Sequence, residues 1–319
     1  MSFHTDELGA QARVGVSTRS AGIRDFMPDQ HRTFFAALPY VFLATTDAAG
    51  WPLATLLEGE PGFVSSPDPR TLRILALPGP DDPAFGTIRQ DQEVGLLGID
   101  FGTRRRNRAN GVASAVDATA FTVAVKQSFG NCPQYIQRRI ASGAEAASER
   151  VRRLGSLDSD ARGLIARADT FFVASRSRAG VGPAGGLDIS HRGGNPGFVR
   201  IRGDVLSIPD FRGNRYFNTL GNLSGEPRAA LLFPNFESGD LLQLQGVATI
   251  DWTPSAAERF EGAERIWHFR IAGGWFRPQA AVLRGAFVDY SPVTLRTGAW
   301  GTRTWPTRSS SRQAQGSNG

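Results

Sequence analysis

One pattern of segments occurs twice along the chain, and this repetition constrains the fold more than any single motif. YVFLATTDAAGWP from Tyr40 and TFFVASRSRAGVG from Thr170 each combine an apolar strand, a turn ending in glycine and a second strand. Four further matches follow in the same order: EPGFV with NPGFV, LALP with LSIP, VGLLG with AALLF, and NGVA with QGVA. Because five ordered matches are hard to attribute to chance, the sequence predicts two copies of one domain.

Each copy contains short apolar runs bounded by Gly, Pro or Asp. The predicted order is strand, turn, strand, strand, strand, short helix, strand, strand. Many short strands with few helices favour a closed or nearly closed barrel, so the chain is predicted to be mainly β with short helices. Helices are predicted at residues 29–38, 158–168 and 255–266, where Asp or Pro stands near the first turn.

The length of 319 residues accommodates two compact domains of ordinary size. The predicted organisation is an N-terminal extension at 1–22, a first barrel at 23–142, a linker at 143–157, a second barrel at 158–290 and a C-terminal tail at 291–319. The tail is predicted to be largely disordered, since the stretch from Thr307 contains almost nothing apolar.

Composition and charge exclude several classes of protein. The longest apolar runs are far shorter than the roughly 20 residues of a membrane-spanning helix, and the first residues do not form a secretory signal. We therefore expect a cytoplasmic protein that does not act at a membrane, and the single Cys132 agrees with a reducing compartment. The net charge of +6 is spread over the chain, so nucleic-acid binding is not expected. The sequence shows no metal-ligand spacing.

Two additions distinguish the second copy, and both are rich in Arg and Gly. One falls near SHRGG at residues 190–194, and the other lies in DFRGNRYFNTLGN, where the first copy has PGPDDPAFGTIRQ. Arg212 and Arg215, with Gly213 and Asn214 between them, precede a predicted helix. A helix start offers free N–H groups and Arg offers paired donors, so this turn is a candidate phosphate cradle. A purely structural turn is the alternative.

A further basic run lies in the first copy, where Arg104, Arg105 and Arg106 are followed by Arg108. This run is interpreted either as a solvated loop or as an anion site. Cys132 in GNCPQY precedes a helix predicted to start at Pro133, whose N-terminus would lower the pKa of the thiol. A buried structural thiol is the other interpretation.

The second copy, with GLDISHRGGNPGFVRI and GDVLSIPDFRGNRYFNTLGNLSGEPRAALLFPNF, resembles the FMN-binding split barrels related to pyridoxamine 5′-phosphate oxidase. Together with GEPGFVSSPDP, TRRRNRANG and SFGNCPQYIQRR of the first copy, it resembles a bacterial tandem branch of that superfamily, over about residues 23–284. The resemblance implies two split barrels that hold FMN between them. It does not reach the vitamin-phosphate site of the oxidase, which has no evident counterpart in RGAFVDYSPVTLRTGAW.

The same resemblance assigns roles to residues of the second copy. The implied cofactor-binding set combines the basic turn, the PGFVR strand and the SHRGG insertion: Arg192, Phe198, Val199, Arg200, Arg212, Gly213, Asn214 and Arg215. His191 lies in the Gly-flanked insertion, which we expect to be mobile and near the ligand. It is therefore a candidate catalytic residue that donates to a flavin carbonyl or relays a proton, unless it is an ordinary surface histidine.

The function expected from these features is that of an FMN-dependent oxidoreductase acting on a small molecule, with an electron donor such as NAD(P)H. The alternative is a split barrel that stores or senses flavin or haem without turnover. Because the copies are related, the chain is expected to pair its own barrels and to place TRRRNR and GNCPQY opposite the basic turn. One FMN per chain follows, and a homodimer is compatible with this arrangement.

Overall fold

The computed structural model describes residues 3–17, 22–144 and 150–300. A short helix, α1 (Thr5–Arg13), precedes the first copy. The first copy consists of α2 (Asp29–Ala37), β1 (Tyr40–Thr46), β2 (Pro52–Glu58), β3 (Val64–Asp68), β4 (Thr71–Ile74), β5 (Glu93–Asp100), β6 (Arg105–Val116) and β7 (Phe121–Gly130). Two strands follow it, β8 (Arg138–Gly143) and β9 (Arg152–Leu154).

The second copy consists of α3 (Ser159–Arg167), β10 (Thr170–Arg176), β11 (Leu187–Gly193), β12 (Arg200–Arg202), β13 (Val205–Phe211), α4 (Asn218–Gly225), β14 (Arg228–Pro234), β15 (Leu241–Asp251), α5 (Pro254–Ala257) and β16 (Ala263–Arg277). It is followed by β17 (Leu283–Asp289) and a 3₁₀ turn at Thr294–Arg296. None of the helices in the described ranges has the length and apolar character needed to cross a membrane.

The first copy folds into a seven-stranded antiparallel sheet, and the second folds into an eight-stranded one in which β9 is added beside a seven-strand path of the same topology. The strand order is β2-β1-β5-β6-β7-β4-β3 in the first copy and β11-β10-β14-β15-β16-β13-β12 in the second. Each position in one order corresponds to the same position in the other, which confirms the repeat. The fold class is therefore as predicted: mainly β, with two split-barrel units in tandem.

Each barrel has its own apolar core, and a third cluster of buried side chains joins the two barrels. At the centre of this cluster, Phe42 of β1 stacks on Phe172 of β10, with ring centroids 3.5 Å apart. Because β1 and β10 are equivalent strands, the two copies meet about an approximate two-fold relation. The expectation that the chain pairs its own barrels is confirmed.

Two of the three predicted helices form close to the expected bounds. In α3 the side chain of Asp158 caps the helix by accepting from the N–H of Ala161 at 2.9 Å. The third prediction, a helix over 255–266, is wrong: α5 spans only four residues and the chain re-enters the sheet as β16. Aromatic and branched side chains from Ile266 onward pack against both β13 and β15, which favours a strand. The helix predicted from Pro133 is also wrong, because those residues form a turn before β8.

The segments outside the barrels also contribute to the fold. Strand β8, near the predicted linker, pairs with β17, and β9 pairs with β16. The predicted tail begins in an ordered segment, since Trp300 donates from Nε1 to the carbonyl of Phe198 at 2.9 Å. This indole packs beside the second core, so residues 291–300 of the predicted tail are ordered. The stretch from Thr307 lies outside the described residues.

Candidate functional site

A cleft lies between the two barrels, where the end of the β6–β7 hairpin of the first copy faces β11, β13 and α4 of the second. The enclosed part of the cleft has a volume of about 100 Å³, and the space amounts to about 820 Å³ when its open mouth is counted. Apolar walls come mainly from Phe198, Phe211, Phe217 and Leu220. The cleft is thus open to solvent and is formed by both copies.

The basic turn forms one rim of this cleft. Arg215 and Phe217 both have left-handed backbone angles, with φ of 62° and 60°, so the turn bends sharply just before α4. Across the cleft, Asn214 donates from Nδ2 to Oδ1 of Asn131 at 3.2 Å, and the Tyr135 hydroxyl donates to the carbonyl of Arg212 at 3.1 Å. The predicted opposition of GNCPQY and the basic turn is confirmed.

The first turn of α4 borders the cleft, which is lined there by Asn218, Thr219 and Leu220. Its N-cap residue is Phe217, so no side chain caps the helix start. The first N–H groups of a helix lack partners within the helix and carry a partial positive charge. An acceptor-rich, negatively charged ligand group is therefore favoured at this end of the cleft.

The arginines of the cleft differ in their partners. Arg108 pairs with Asp188 at 2.6 Å, Arg192 with Asp210 at 2.8 Å, and Arg215 with Glu264 at 2.9 Å. Arg106, in contrast, forms no ion pair with any described residue. The Arg108 and Asp188 pair crosses from the first copy to the second, so it also ties the two barrels together at the cleft.

Arg106 donates instead to neutral acceptors, the carbonyl of Cys132 at 2.9 Å and Nδ1 of His191 at 3.1 Å. Burial, followed by the charge of Arg108, lowers the pKa of the Arg106 guanidinium to about 9. It still carries its charge at neutral pH. A cation of this kind without a carboxylate partner provides a site for an anionic or electron-rich ligand group.

His191 has a different environment from the expected mobile loop. It lies within β11, opposite Phe172 of β10, and only 5% of its surface is exposed. The loop prediction is wrong because SHRGG continues the strand, and Gly193 packs against the Tyr135 carbonyl so closely that a side chain would not fit.

Burial, together with Arg106, Arg139 and Arg192, lowers the pKa of His191 well below its ordinary value. Nδ1 accepts from Arg106, so the proton of the neutral ring is on Nε2, which has no partner. His191 can donate one hydrogen bond, but it cannot act as a charged acid near neutral pH.

The structure brings together only part of the predicted cofactor set. Besides His191, the predicted residues that line the cleft are Arg192, Phe198, Gly213, Asn214 and Arg215. Val199 is buried in the second core, where an apolar strand residue is stabilised by packing. Arg200 stacks on Trp300 at 3.9 Å, and Arg212 is exposed on the outer side of the turn. The prediction that these three residues bind a cofactor is therefore not supported by their positions.

Arg106 and Arg108 come from the basic run that was interpreted as either a solvated loop or an anion site, and both line the cleft. The cleft residues that were not predicted individually are polar groups contributed by both copies: Asn131, Tyr135, Ser190, Asp210, Asn218, Thr219, Glu264 and Arg265. Arg106 and Arg108 are two residues apart on β6. Because successive side chains of a strand point to opposite faces, this spacing in TRRRNR could have placed both on one face. No local signal identifies Asp210 or Glu264 as partners of the cleft arginines.

The approximate two-fold relation between the copies gives the cleft an equivalent position elsewhere in the molecule. Protein side chains fill that position. The strand registers show which residues of the two copies are equivalent: Thr55 corresponds to Ser190, Gln243 to Arg108 and Arg277 to Asn131. There the buried carboxylate of Asp82 accepts from the Thr55 hydroxyl, from Arg277 at 2.6 Å and from the N–H of Ala84 at 2.8 Å. An acidic side chain thus occupies the place that is open in the cleft.

Comparison with known proteins supports the fold. Residues 27–154 match the family model described as pyridoxamine 5′-phosphate oxidase. This match, over less than half of the chain, supports its placement in the pyridoxamine 5′-phosphate oxidase-like split-barrel superfamily. The family match covers the first copy through β9, whereas the resemblance seen in the sequence was strongest in the second copy. No curated protein matches the chain.

Solved structures of low identity are also similar to the chain. HupZ from Group A Streptococcus is 15% identical, covers 41% of this chain and 98% of its own, and has a TM-score of 0.30. HutZ, described as the heme storage protein from Vibrio cholerae, is 14% identical, with coverages of 38% and 94% and a TM-score of 0.26. An FAD-binding protein from Mesorhizobium loti is 11% identical, with coverages of 40% and 99% and a TM-score of 0.25. At these TM-scores the likeness carries no functional information.

Proposed function

We propose that the chain binds one FMN in the cleft between its barrels and acts as an FMN-dependent oxidoreductase on a small molecule. The observation that supports this proposal most is Arg106, a partly buried guanidinium in the cleft that has no carboxylate partner among the described residues. An FMN phosphate or the electron-rich edge of a flavin would complete its environment. Membership of the superfamily is consistent with this cofactor.

The polar atoms of the cleft fit such a ligand. Several buried donors that belong to its lining have no hydrogen-bond partner among the described residues: Nε of Arg108, Nδ2 of Asn131, Nε2 of His191, Nε of Arg192 and Nε of Arg215. Buried polar groups are normally paired, so a ligand with many acceptors is expected there. A phosphate and a flavin ring with two carbonyls meet this requirement, and Phe211 and Phe217 offer apolar contact for the ring.

The residues of the chain would divide the binding between them. Arg215, Asn214 and the start of α4 would hold the phosphate, because they combine charge, amide donors and free N–H groups. Arg106 would place a positive charge beside the ligand, and Nε2 of His191 would donate a hydrogen bond. When bound, FMN would supply hydride or electron transfer, with NAD(P)H or a similar reductant as the donor.

The second candidate function is flavin binding without turnover. The observation that favours it is the neutral state of His191, which leaves the cleft without a histidine that can release a proton near pH 7. Haem is supported less well. His191 holds its ring proton on Nε2, and this nitrogen would have to be deprotonated to ligate iron.

Titration of the purified chain with FMN and with riboflavin tests the proposal. FMN is expected to bind more tightly than riboflavin. Arg215→Ala should weaken FMN binding by on the order of 10- to 100-fold, the range for a hydrogen bond to a charged group. Arg212→Ala is the matched control, since this neighbouring arginine lies outside the cleft. Equal affinity for FMN and riboflavin would refute the phosphate site. Reduction of the bound flavin by NADH or NADPH separates the enzyme from the carrier.

A further inference from the structure

Helix α1 packs across α4 and contacts the residues that connect the basic turn to this helix. The ring of Phe3 meets Tyr216 edge to face at 5.4 Å, and Gln11 donates from Nε2 to the carbonyl of Tyr216 at 3.2 Å. A Cβ added to Gly221 of α4 would lie 2.6 Å from Cα of Glu7, so only glycine permits this close packing. The N-terminal helix therefore supports the cleft from behind.

Glu7 is the acidic residue at the centre of this contact, and only 4% of its surface is exposed. Its carboxyl accepts from the N–H of His4 at 2.9 Å and from Nδ2 of Asn218 at 2.5 Å. No described arginine or lysine forms an ion pair with it. Because burial outweighs these hydrogen bonds, the pKa of Glu7 is raised to about 7.

Asn218 connects Glu7 to the cleft. Its Oδ1 accepts from Arg108 at 3.5 Å, while Arg108 also donates to the Ser190 hydroxyl at 2.5 Å. The ionisable groups that surround Glu7 come from four directions: His4 before α1, Arg108 on β6, Asp188 on β11, and Glu93 and Lys126 around the adjoining internal space. Burial lowers the pKa of His4, so this neighbour is neutral when Glu7 titrates.

The charge state of Glu7 therefore acts on the end of the cleft that attracts anions. As a carboxylate it holds the amide donor of Asn218 away from the cleft and adds one negative charge behind the start of α4. As a neutral acid it holds Asn218 by a weaker hydrogen bond and removes that charge. At a separation of roughly 10 Å and an effective dielectric near 20, one charge changes the affinity for an anion by on the order of tenfold.

We propose that Glu7 is a positioning residue through which protonation increases the affinity of the cleft for its anionic ligand. The inference rests on the proposed function, since it takes FMN as that ligand. FMN binding would be accompanied by proton uptake at a site that does not touch the ligand. The N-terminal helix would thereby adjust cofactor retention to pH around neutrality.

The test compares the dissociation constants of FMN for the full chain and for Glu7→Gln at pH 6 and pH 8. The phosphate of FMN itself titrates near pH 6, so the ratio of the two constants, rather than either alone, reports on Glu7. Wild type and Glu7→Gln should bind alike at pH 6. At pH 8 wild type should bind on the order of tenfold more weakly. Glu60→Gln, which removes an exposed acid of the first copy, should follow wild type at both pH values.

The outcomes separate the two proposals. A ratio that is the same at both pH values would overturn the role of Glu7 and leave FMN binding intact. A wild-type chain that binds no FMN at either pH would overturn the proposed function, and this inference with it. Poorer binding by Glu7→Gln at both pH values would also overturn the inference, since it would indicate a role in packing alone.

Discussion

Replacing Asp82 with alanine should destabilise the chain strongly while leaving its ligand cleft intact. Asp82 fills the position in the first copy that corresponds to the cleft of the second, and its carboxylate is the ion-pair partner of Arg277. Both side chains are nearly inaccessible to solvent. In Asp82→Ala the guanidinium of Arg277 would stay buried without its carboxylate, and the hydroxyl of Thr55 would lose its acceptor.

The size of the effect follows from this burial. Removing one partner of a buried ion pair costs about 3–5 kcal/mol, because the other charge is left uncompensated. Replacing both partners costs much less, so the double variant Asp82→Ala, Arg277→Met should recover at least about 2 kcal/mol relative to the sum of the single variants. The exposed pair of Arg70 and Asp25 is the control. Asp25→Ala should change the stability by no more than about 1 kcal/mol.

Urea denaturation of wild type, Asp82→Ala, Arg277→Met, the double variant and Asp25→Ala gives the free energies of unfolding, and flavin titration of each protein gives its FMN capacity. The account predicts a large loss for Asp82→Ala, recovery in the double variant and unchanged binding of FMN in both. A loss of unfolding free energy below about 1 kcal/mol for Asp82→Ala would refute the view that this carboxylate stabilises the position equivalent to the cleft. A loss of FMN binding in Asp82→Ala would instead make Asp82 part of the ligand site.

Three further predictions concern single side chains. Arg106→Ala should weaken FMN binding by about 1.5–3 kcal/mol, whereas Arg105→Ala, its exposed neighbour, should have little effect; equal effects in the titration would remove the special role of Arg106. His191→Gln should retain FMN and slow flavin reduction by about two- to tenfold, the value of one neutral hydrogen bond. Stopped-flow rates of flavin reduction should show no titration near pH 6.5, because His191 stays neutral. A transition near that pH that is present in wild type and absent in His191→Gln would contradict this prediction. The raised pKa of Glu7 means that its stabilising protonated form is complete below about pH 4.5 and is lost as pH rises through about 7. Relative to wild type, the free energy of unfolding of Glu7→Gln should therefore increase by up to about 3 kcal/mol between pH 4.5 and 8, as measured by urea denaturation. A difference between the two proteins that does not change with pH would contradict this prediction.

The repeat made the architecture predictable, because matched segments must build matched strands. Short apolar runs between turn residues indicated strands such as β1 and β10, and Asp158 indicated the start of α3. The seventh strand was missed. The residues between Pro254 and Ile266 are rich in Ala and Glu, which favours a helix locally. The pairing that makes β16 a strand is with residues far away in sequence.

The site was predictable only where its residues are close in sequence. The basic turn at Asn214 and Arg215 was found from its composition, but its acidic partner Glu264 comes from β16 and could not be inferred locally. Flanking glycines suggested a flexible loop around His191, yet Gly193 is required there by the close approach of the first copy. Arg106 has no carboxylate partner among the described residues, and this follows from three-dimensional packing alone.

The central claim is that the two barrels form a single FMN site. It is tested most directly by saturating the purified chain with FMN, removing free flavin and measuring released flavin against protein concentration. The account predicts one FMN per chain, because the cleft faces α4 and the equivalent position is filled by Asp82. Two FMN per chain, or none, would contradict it.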